Sequence, residues 1–252
     1  MVILASQEHS EKHVCPHNKE ISCGNCRLGS ICLPIALEHD DIVKLDEIVQ
    51  RGHPLQKGDH LYREGDAFTS VYAVRSGTIK AYRLTGDGQE QVTGFYFPGE
   101  IIGMDGISKD KYANSAKALE TSAVCEIPFH RLEELSTAVP SMQRHFFQLM
   151  SQEITTDQQL ITLLSKNSAE ERIAALLISI SARNARRKLS RTSFRLPMSR
   201  TDIGNFLGLT VETVSRVISR FNKQGLITVE SKEITLLDLD SLKAIADSKT
   251  EF

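Results

Sequence analysis

The chain has 252 residues, of which 40% are hydrophobic and 25% are charged. These fractions are ordinary for globular proteins, so they exclude a disordered chain and suit two modest domains with separate cores. The longest apolar runs are far too short to span a bilayer, and the first residues lack the basic segment of a signal peptide. We therefore expect a cytoplasmic protein without a membrane partner.

The net charge of −2 hides a marked asymmetry. Residues 170–232 contain 12 basic and 5 acidic side chains, a net charge of +7, which leaves −9 for the rest of the chain. A basic carboxy-terminal part beside an acidic remainder indicates nucleic-acid binding. Because many basic faces are only solvated, this interpretation depends on the motifs in the same segment.

Three cysteines near the amino terminus, Cys23, Cys26 and Cys32, have the spacing C-x2-C-x5-C. The chain has 5 cysteines, an odd number, and cytosolic thiols stay reduced, so we interpret them as metal ligands rather than as disulfides. Thiolates at this spacing can converge on one soft metal centre, which needs four ligands. The fourth is Cys125, unless Cys15 supplies it. With Cys125, the metal would tie the amino-terminal loop to a strand of the next domain.

Short elements are predicted for the first half of the chain. Residues 1–22 are polar and lack periodicity, so we expect a flexible tail. Apolar residues at 42, 45, 48 and 49 predict a short amphipathic helix. From Pro54 to Pro128, strand-like runs alternate with glycine turns such as Thr85–Gly88. Closely spaced strands of this kind predict an antiparallel barrel or roll, whose interior is either packed core or a ligand pocket.

A single long helix is predicted from Pro140 to Ser165. Six of its side chains recur every three or four residues, the seam spacing of a coiled coil: Phe147, Met150, Ile154, Asp157, Ile161 and Leu164. Such a helix usually pairs with its own copy, which predicts a twofold dimer; the alternative is that the seam packs on its own domain. At Asp157 two carboxylates would face each other and repel, which makes it a candidate brake on dimerisation, unless it lies just off the seam in water.

The carboxy-terminal part has a helix-turn-helix pattern. Ser168 and Glu171 can form a capping box that opens a helix, which we expect to end before a basic loop at Arg183–Arg195. The segment Ser199–Gly225 then supplies a capped short helix, Gly208 for a tight turn, and a second helix. Two apolar runs after this segment predict a β-hairpin wing.

The second helix of this motif carries one polar stripe at positions i, i+3, i+4 and i+7, formed by Glu212, Ser215, Arg216 and Ser219. Glutamate accepts from cytosine N4, arginine reads guanine bidentately and serine is adaptable, so the stripe suits base edges. Flanking basic residues are candidate phosphate contacts: Arg200, Arg220 and Lys223. The alternative is an ordinary solvated helix face.

In these motifs the chain resembles the oxygen-sensing branch of the CRP/FNR family of bacterial transcription regulators. The resemblance covers nearly the whole chain after residue 20 and is most specific at Cys23–Cys32, Ile79–Gly94, Ala118–Phe129, Leu163–Ala175 and Asp202–Arg220. It implies an α+β fold with an N-terminal antiparallel β-roll of the cyclic-nucleotide-binding type, a long dimerisation helix and a C-terminal winged helix-turn-helix. The implied domains are a flexible tail and cluster-binding loop (1–35), a β-roll sensor domain (36–138), the dimerisation helix (139–166) and the DNA-binding domain (167–252).

The resemblance also implies a cofactor and partners. Cys23, Cys26, Cys32 and Cys125 would hold one oxygen-labile [4Fe-4S] cluster per subunit, with Cys15 spare. The first three residues of the polar stripe fall on base-reading positions, which implies a TTGAT-type inverted repeat in double-stranded DNA. The cluster would promote homodimerisation and DNA binding, and oxygen would return inactive monomers. RNA polymerase would be a further partner, contacted through the loop at 85–90.

Three alternatives remain beside this interpretation. Four thiolates also make a structural zinc site, which would be colourless and stable in air. A cyclic-nucleotide sensor would place an arginine on the cyclic phosphate, but the corresponding stretch is Asn114-Ser115-Ala116. An enzyme is not indicated, because the chain shows no nucleophile–base pair or glycine-rich phosphate loop. One departure from the family pattern is Arg27, a cation beside the expected cluster that would partly stabilise its more anionic state.

Overall fold

The computed structural model describes residues 22–247, so the alternative ligand Cys15 and all but the last residue of the expected flexible tail lie outside it. The helices are α1 (His39–Ile48), α2 (Phe129–Ala138), α3 (Pro140–Lys166), α4 (Ala169–Arg186), α5 (Arg200–Leu207), α6 (Val211–Lys223) and α7 (Leu239–Ala246), with short 3-10 turns at Leu33–Ala36 and Met104–Gly106. The strands are β1 (Gln50–Arg51), β2 (His60–Tyr62), β3 (Ser70–Ser76), β4 (Ile79–Leu84), β5 (Glu90–Tyr96), β6 (Ile101–Ile102), β7 (Ser115–Ala118), β8 (Ala123–Pro128), β9 (Ser193–Arg195), β10 (Ile227–Glu230) and β11 (Glu233–Leu236). No helix within the described range has the length and the apolar content that a membrane span requires.

Strands β1–β8 form the predicted antiparallel roll. It consists of two four-stranded sheets with the strand orders β1-β8-β3-β6 and β2-β7-β4-β5, and the paired strands are antiparallel. Val71, Ile79 and Ala116 are completely buried, so the interior of the roll is largely packed core. Strand β8 lies between β1 and β3, and Cys125 is in register with Arg51 on one side and Ala73 on the other.

The long helix α3 agrees with its prediction and extends one residue further, to Lys166. It begins with Pro140, at a position where the missing N–H of proline costs no helical hydrogen bond. Its first turns pack on the core of the roll, because Met142 is fully buried and Phe146 and Leu149 lie against the same apolar cluster. The helix therefore joins the roll to the carboxy-terminal domain with its first half fixed in place.

Helices α4–α7 and the sheet β10-β11-β9 share the second core of the chain. The predicted capping box at Ser168 and Glu171 is present at the start of α4. A second one opens α5, where the Ser199 N–H donates to Asp202 Oδ2 at 2.9 Å and the Asp202 N–H donates to Ser199 Oγ at 3.0 Å. Gly208 has the left-handed conformation that ends α5, and the predicted wing is the antiparallel pair β10–β11.

The predicted basic loop at Arg183–Arg195 is wrong at both ends. Helix α4 continues through Arg183 to Arg186, and β9 pairs with β11 at the other end. The guanidinium of Arg183 donates to the Phe95 carbonyl oxygen at 2.7 Å and to Glu100 at 3.2 Å. Contacts with the β-roll therefore accommodate the charge within the helix, and the local accumulation of basic residues does not end it.

Candidate functional site

The four cysteines of the predicted ligand set line one cavity. Cys23, Cys26 and Cys32 lie on the loop that precedes α1, and Cys125 lies on β8, so the fold brings together thiols about a hundred residues apart in sequence. The cavity has about 480 Å³ of empty space, measured to its mouth, and its other lining is largely apolar. All four cysteines are free thiols and partly exposed.

Buried leucines hold the cysteine loop in place. Leu28 and Leu33 are buried, and the N–H of Cys32 donates to the Leu28 carbonyl oxygen at 2.9 Å, which folds the loop back on itself. Behind Cys32, the 3-10 turn Leu33–Ala36 packs against α3. The loop that carries three of the thiols is thereby in contact with both the roll and the long helix.

Burial controls the protonation of these thiols. It raises the pKa of Cys23 to about 12, with a further contribution from the neighbouring Asp46 carboxylate, and it raises the pKa of Cys32 to about 12. The pKa of Cys125 is also raised, again chiefly by burial. Ligation needs thiolates, so binding of a metal centre must displace protons from these sulfurs.

The donor set fits an iron–sulfur cluster. Clusters are held by cysteine thiolates, four of them for [4Fe-4S], in surroundings that are apolar and limit solvent access. Among residues 22–247, no three His, Cys, Asp or Glu side chains are close enough to share one metal ion. The four thiols thus share a cavity and do not converge on a single point.

An ion pair that the sequence did not reveal adjoins Cys23. The N–H of Cys23 donates to Asp46 Oδ1 at 2.8 Å, and Arg51 Nη2 donates to Cys23 Sγ at 3.5 Å. Arg51 and Asp46 also form a salt bridge with each other. Only the three-dimensional fold brings the last turn of α1 and the end of β1 to the first cysteine, so no local pattern could have indicated this contact.

The predicted base-reading stripe is on the outer face of α6. Glu212, Ser215, Arg216 and Ser219 are all exposed, whereas Val214, Val217, Ile218 and Phe221 on the opposite face are buried. Thr210 caps the helix by accepting from the Thr213 N–H at 3.2 Å, and Arg216 Nη2 donates to Thr213 Oγ1 at 3.2 Å. The stripe therefore faces solvent, and the hydrogen bond to Thr213 holds the guanidinium of Arg216 toward the first turn of the helix.

The predicted phosphate contacts differ in their surroundings. Arg220 is exposed but pairs with Glu170 on α4, so a phosphate would have to compete with that carboxylate. Arg200 is half-buried at the start of α5, and burial lowers the pKa of its guanidinium. Lys223 is exposed in the last turn of α6.

The sequence also missed Gly204 in the helix-turn-helix. A Cβ at this position would lie 2.5 Å from the Leu209 carbonyl oxygen, so a larger residue would push the turn away from α5. This close approach sets the distance between the two helices of the motif. The signal was a glycine inside a predicted helix, which commonly marks a close backbone contact.

Contacts between α5 and the β-roll were not predicted either. Lys80 Nζ on β4 forms salt bridges with Glu90 at 2.5 Å and with Asp202 at 2.7 Å. On β5, the residue after Glu90 also contacts α5, because Gln91 Nε2 donates to the Asn205 carbonyl oxygen at 2.5 Å. The first helix of the helix-turn-helix is thereby attached directly to the sheet β2-β7-β4-β5.

A second cavity, of about 890 Å³ measured to its mouth, lies between the roll and α3. Three carboxylates line it, from Asp105, Glu153 and Asp157, together with Asn114. Burial raises the pKa of Glu153, although Tyr96 donates to its Oε1 at 2.7 Å. Asn114 Nδ2 donates to Asp105 at 2.7 Å. The acidic lining is unsuited to a cyclic phosphate.

The predicted seam of α3 is largely uncovered. Phe147, Ile154 and Ile161 are 58%, 59% and 64% exposed, and they recur every seven residues. Met150 and Leu164 are half-buried, and Asp157 is exposed with a pKa that partial burial raises. Apolar side chains with this spacing and exposure favour a partner helix over packing within the same chain.

Comparisons with known proteins place these features in one family. The Crp-like helix-turn-helix domain matches residues 171–245, and the cyclic nucleotide-binding domain matches residues 53–138. Over 229 residues the chain is 52% identical to the transcriptional activator protein anr of Pseudomonas aeruginosa, covering 91% of this chain and 94% of that protein.

Two further relatives agree. The fumarate and nitrate reduction regulatory protein of Salmonella typhimurium is 47% identical, over 90% of each chain. The solved structure of FixK2 from Bradyrhizobium japonicum has a TM-score of 0.73 at 28% identity, and the match covers 79% of this chain and 97% of that one. The roll, the long helix and the helix-turn-helix occur here in the same order, and the chain belongs to the CRP/FNR family of DNA-binding transcription regulators.

Proposed function

We propose that the protein is an oxygen-responsive global transcription regulator, which holds one [4Fe-4S] cluster per subunit on Cys23, Cys26, Cys32 and Cys125. The observation that carries the proposal is the cavity that these four thiols line, because it joins a loop before α1 to a strand of the roll. A site that depends on reduced thiols also supports a cytoplasmic location.

When bound, the cluster supplies iron–sulfur bonds that oxygen breaks. The chain itself supplies the coupling between this site and the long helix. Ligation by Cys125 would hold the cysteine loop against β8, and the turn Leu33–Ala36 that follows the loop packs on α3. Fixing the loop therefore fixes one side of the first turns of α3, where Met142 is buried.

Association of two copies through α3 is the next step of the proposal. Phe147, Ile154 and Ile161 form an exposed apolar row that a second α3 would cover. On the same face Asp157 opposes pairing, because two carboxylates across a twofold axis repel unless one is protonated. A fixed cysteine loop favours pairing, and in air the repulsion at Asp157 favours monomers.

The dimer is the form that recognises DNA. It would place two α6 helices about one helical turn apart, roughly 34 Å, in successive major grooves of an inverted repeat of the TTGAT type. Glu212, Ser215 and Arg216 would contact base edges, with Ser219 beside them. Arg200 and Arg220 would contact phosphates, and RNA polymerase would contact the loop at residues 85–90 when the protein is bound at a promoter.

An absorption spectrum of anaerobically purified protein, before and after air, tests the cofactor. We expect a brown protein containing iron and sulfide whose colour bleaches in air, while sedimentation velocity shows a shift from dimer to monomer. Cys125→Ser should abolish the colour, and Cys15→Ser should leave it unchanged. A colourless, air-stable protein that contains zinc would contradict the proposal.

The cyclic-nucleotide alternative is less well supported. The cavity between the roll and α3 presents the carboxylates of Asp105, Glu153 and Asp157, and Asn114 already donates to Asp105. A desolvated cyclic phosphate would meet repulsion there instead of an arginine. Equilibrium dialysis with cyclic AMP should show no binding at this site.

A further inference from the structure

Arg51 is a charged residue that links both parts of the cysteine site. Its backbone on β1 is in register with Cys125, and its guanidinium donates to Cys23 Sγ at 3.5 Å. The side chain is only 14% exposed, so water screens its charge weakly. One residue therefore contacts the first cysteine of the loop and pairs with the strand that carries the last.

Asp46 completes this arrangement. It accepts the N–H of Cys23 at 2.8 Å and forms a salt bridge with Arg51. Asp46 thus orients the backbone of Cys23 and also fixes the guanidinium beside the sulfur. The carboxylate is 30% exposed, and its charge has the opposite effect on that sulfur from the charge of Arg51.

We propose, on the basis of the proposed function, that Arg51 and Asp46 are positioning residues that set the lifetime of the cluster in oxygen by opposing charges at Cys23. A cluster with four thiolates carries a charge of about −2. Loss of one electron to dioxygen, which would become superoxide, would change the charge of a bound cluster from about −2 to about −1. A cation beside a ligating sulfur stabilises the more anionic state and opposes this step, whereas a carboxylate favours it.

Opposite charges predict opposite effects for two conservative variants. Arg51→Gln removes the cation and should shorten the time of bleaching in air by about threefold to tenfold. Asp46→Asn keeps an oxygen that can accept the Cys23 N–H but removes the negative charge, and should lengthen the time by about twofold or more. A purely structural role would shorten it in both variants.

The experiment follows visible absorbance after mixing reconstituted protein with air-saturated buffer, with iron and sulfide content measured beforehand. Arg131→Gln and Glu134→Gln are matched controls, because this exposed pair lies on α2 and makes the same kind of contact. An anaerobic redox titration of each variant gives a second readout, in which Arg51→Gln should have the lower potential and Asp46→Asn the higher one.

Shifts in opposite directions support the inference. It is overturned if Arg51→Gln leaves the lifetime and the potential within the range of the controls, or if Asp46→Asn changes both in the same direction as Arg51→Gln. If Arg51→Gln does not fold, the result for Asp46→Asn decides the inference. The inference requires that Asp46→Asn bleach more slowly than the unaltered protein. Absence of iron and sulfide from the unaltered protein would refute the proposed function instead.

Discussion

Replacing Lys80 with methionine should destabilise the junction between the roll and the helix-turn-helix. The side chain of Lys80 is 5% exposed, and its partners Asp202 and Glu90 are 15% and 31% exposed. Removing one member of a buried ion pair typically costs ~3–5 kcal/mol, because the other charge is left without a partner. Glu90 can turn to water, so we expect a loss of about 2–3 kcal/mol in the free energy of unfolding.

The dependence on pH provides an independent check. Burial alone would raise the pKa of Asp202, but the hydrogen bonds from Lys80 and Ser199 outweigh it and lower the pKa below its usual range. A carboxyl with a lowered pKa in the folded state stabilises the fold above its unfolded pKa of about 3.9. This stabilisation is lost as the pH falls through the folded pKa. The difference in the free energy of unfolding between the native chain and Lys80→Met should therefore be largest at neutral pH and should shrink below about pH 4.

Urea titrations at neutral and acidic pH, followed by circular dichroism, measure both effects. The matched control is the double variant Lys80→Met and Asp202→Asn, in which the more buried carboxylate is neutralised and Glu90 keeps its salt bridge to Lys117 at 3.6 Å. It should recover most of the lost stability, since neutral groups of similar shape often replace a buried ion pair at little cost. A loss below about 0.5 kcal/mol for Lys80→Met alone would refute the reasoning, because that is the size of a surface pair.

Three further predictions concern the seam, the stripe and the cysteine loop. Asp157→Ala removes the facing carboxylates and should lower the dimer dissociation constant in air about tenfold, or ~1.4 kcal/mol. Sedimentation velocity measures this constant, and an unchanged monomer fraction would contradict the prediction. Arg216→Ala should weaken binding to the inverted repeat by about 1–3 kcal/mol in a gel-shift titration. Binding to unrelated DNA should stay nearly unchanged, and an equal loss on both DNAs would exclude a role in base reading. Arg27→Ser should shorten the bleaching time by less than about twofold, because Arg27 is exposed and its charge is screened by water. A larger change would show that this residue contacts the cluster site.

The sequence could predict features that repeat locally or stand out chemically. The spacing of Phe147, Ile154 and Ile161 revealed a helix with one apolar row, and that row is exposed in the structure. Caps and turns were equally visible, since Ser199 and Gly208 lie at the positions that the helix-turn-helix requires. Cysteines are rare enough that their spacing alone suggested a shared site.

Contacts between distant segments could not be predicted in this way. Lys80 is buried because it pairs with Asp202, which is 122 residues away, and nothing in its own strand indicates that partner. Arg51 was similarly inconspicuous, being one basic residue among many until the fold placed it beside Cys23. The charge of a side chain is local information, whereas the neighbours that make it buried or exposed are set by tertiary packing.

The sparse apolar row on α3 limits the area that two copies can bury against each other. Only every second turn of α3 presents a large apolar side chain that is exposed, and exposed polar residues such as Gln148 and Gln158 separate these positions. The exposed apolar surface of α3 is therefore a narrow row and not a broad patch. Pairing through so narrow a row buries little area, so we expect the dimer to form and separate with the protein concentration.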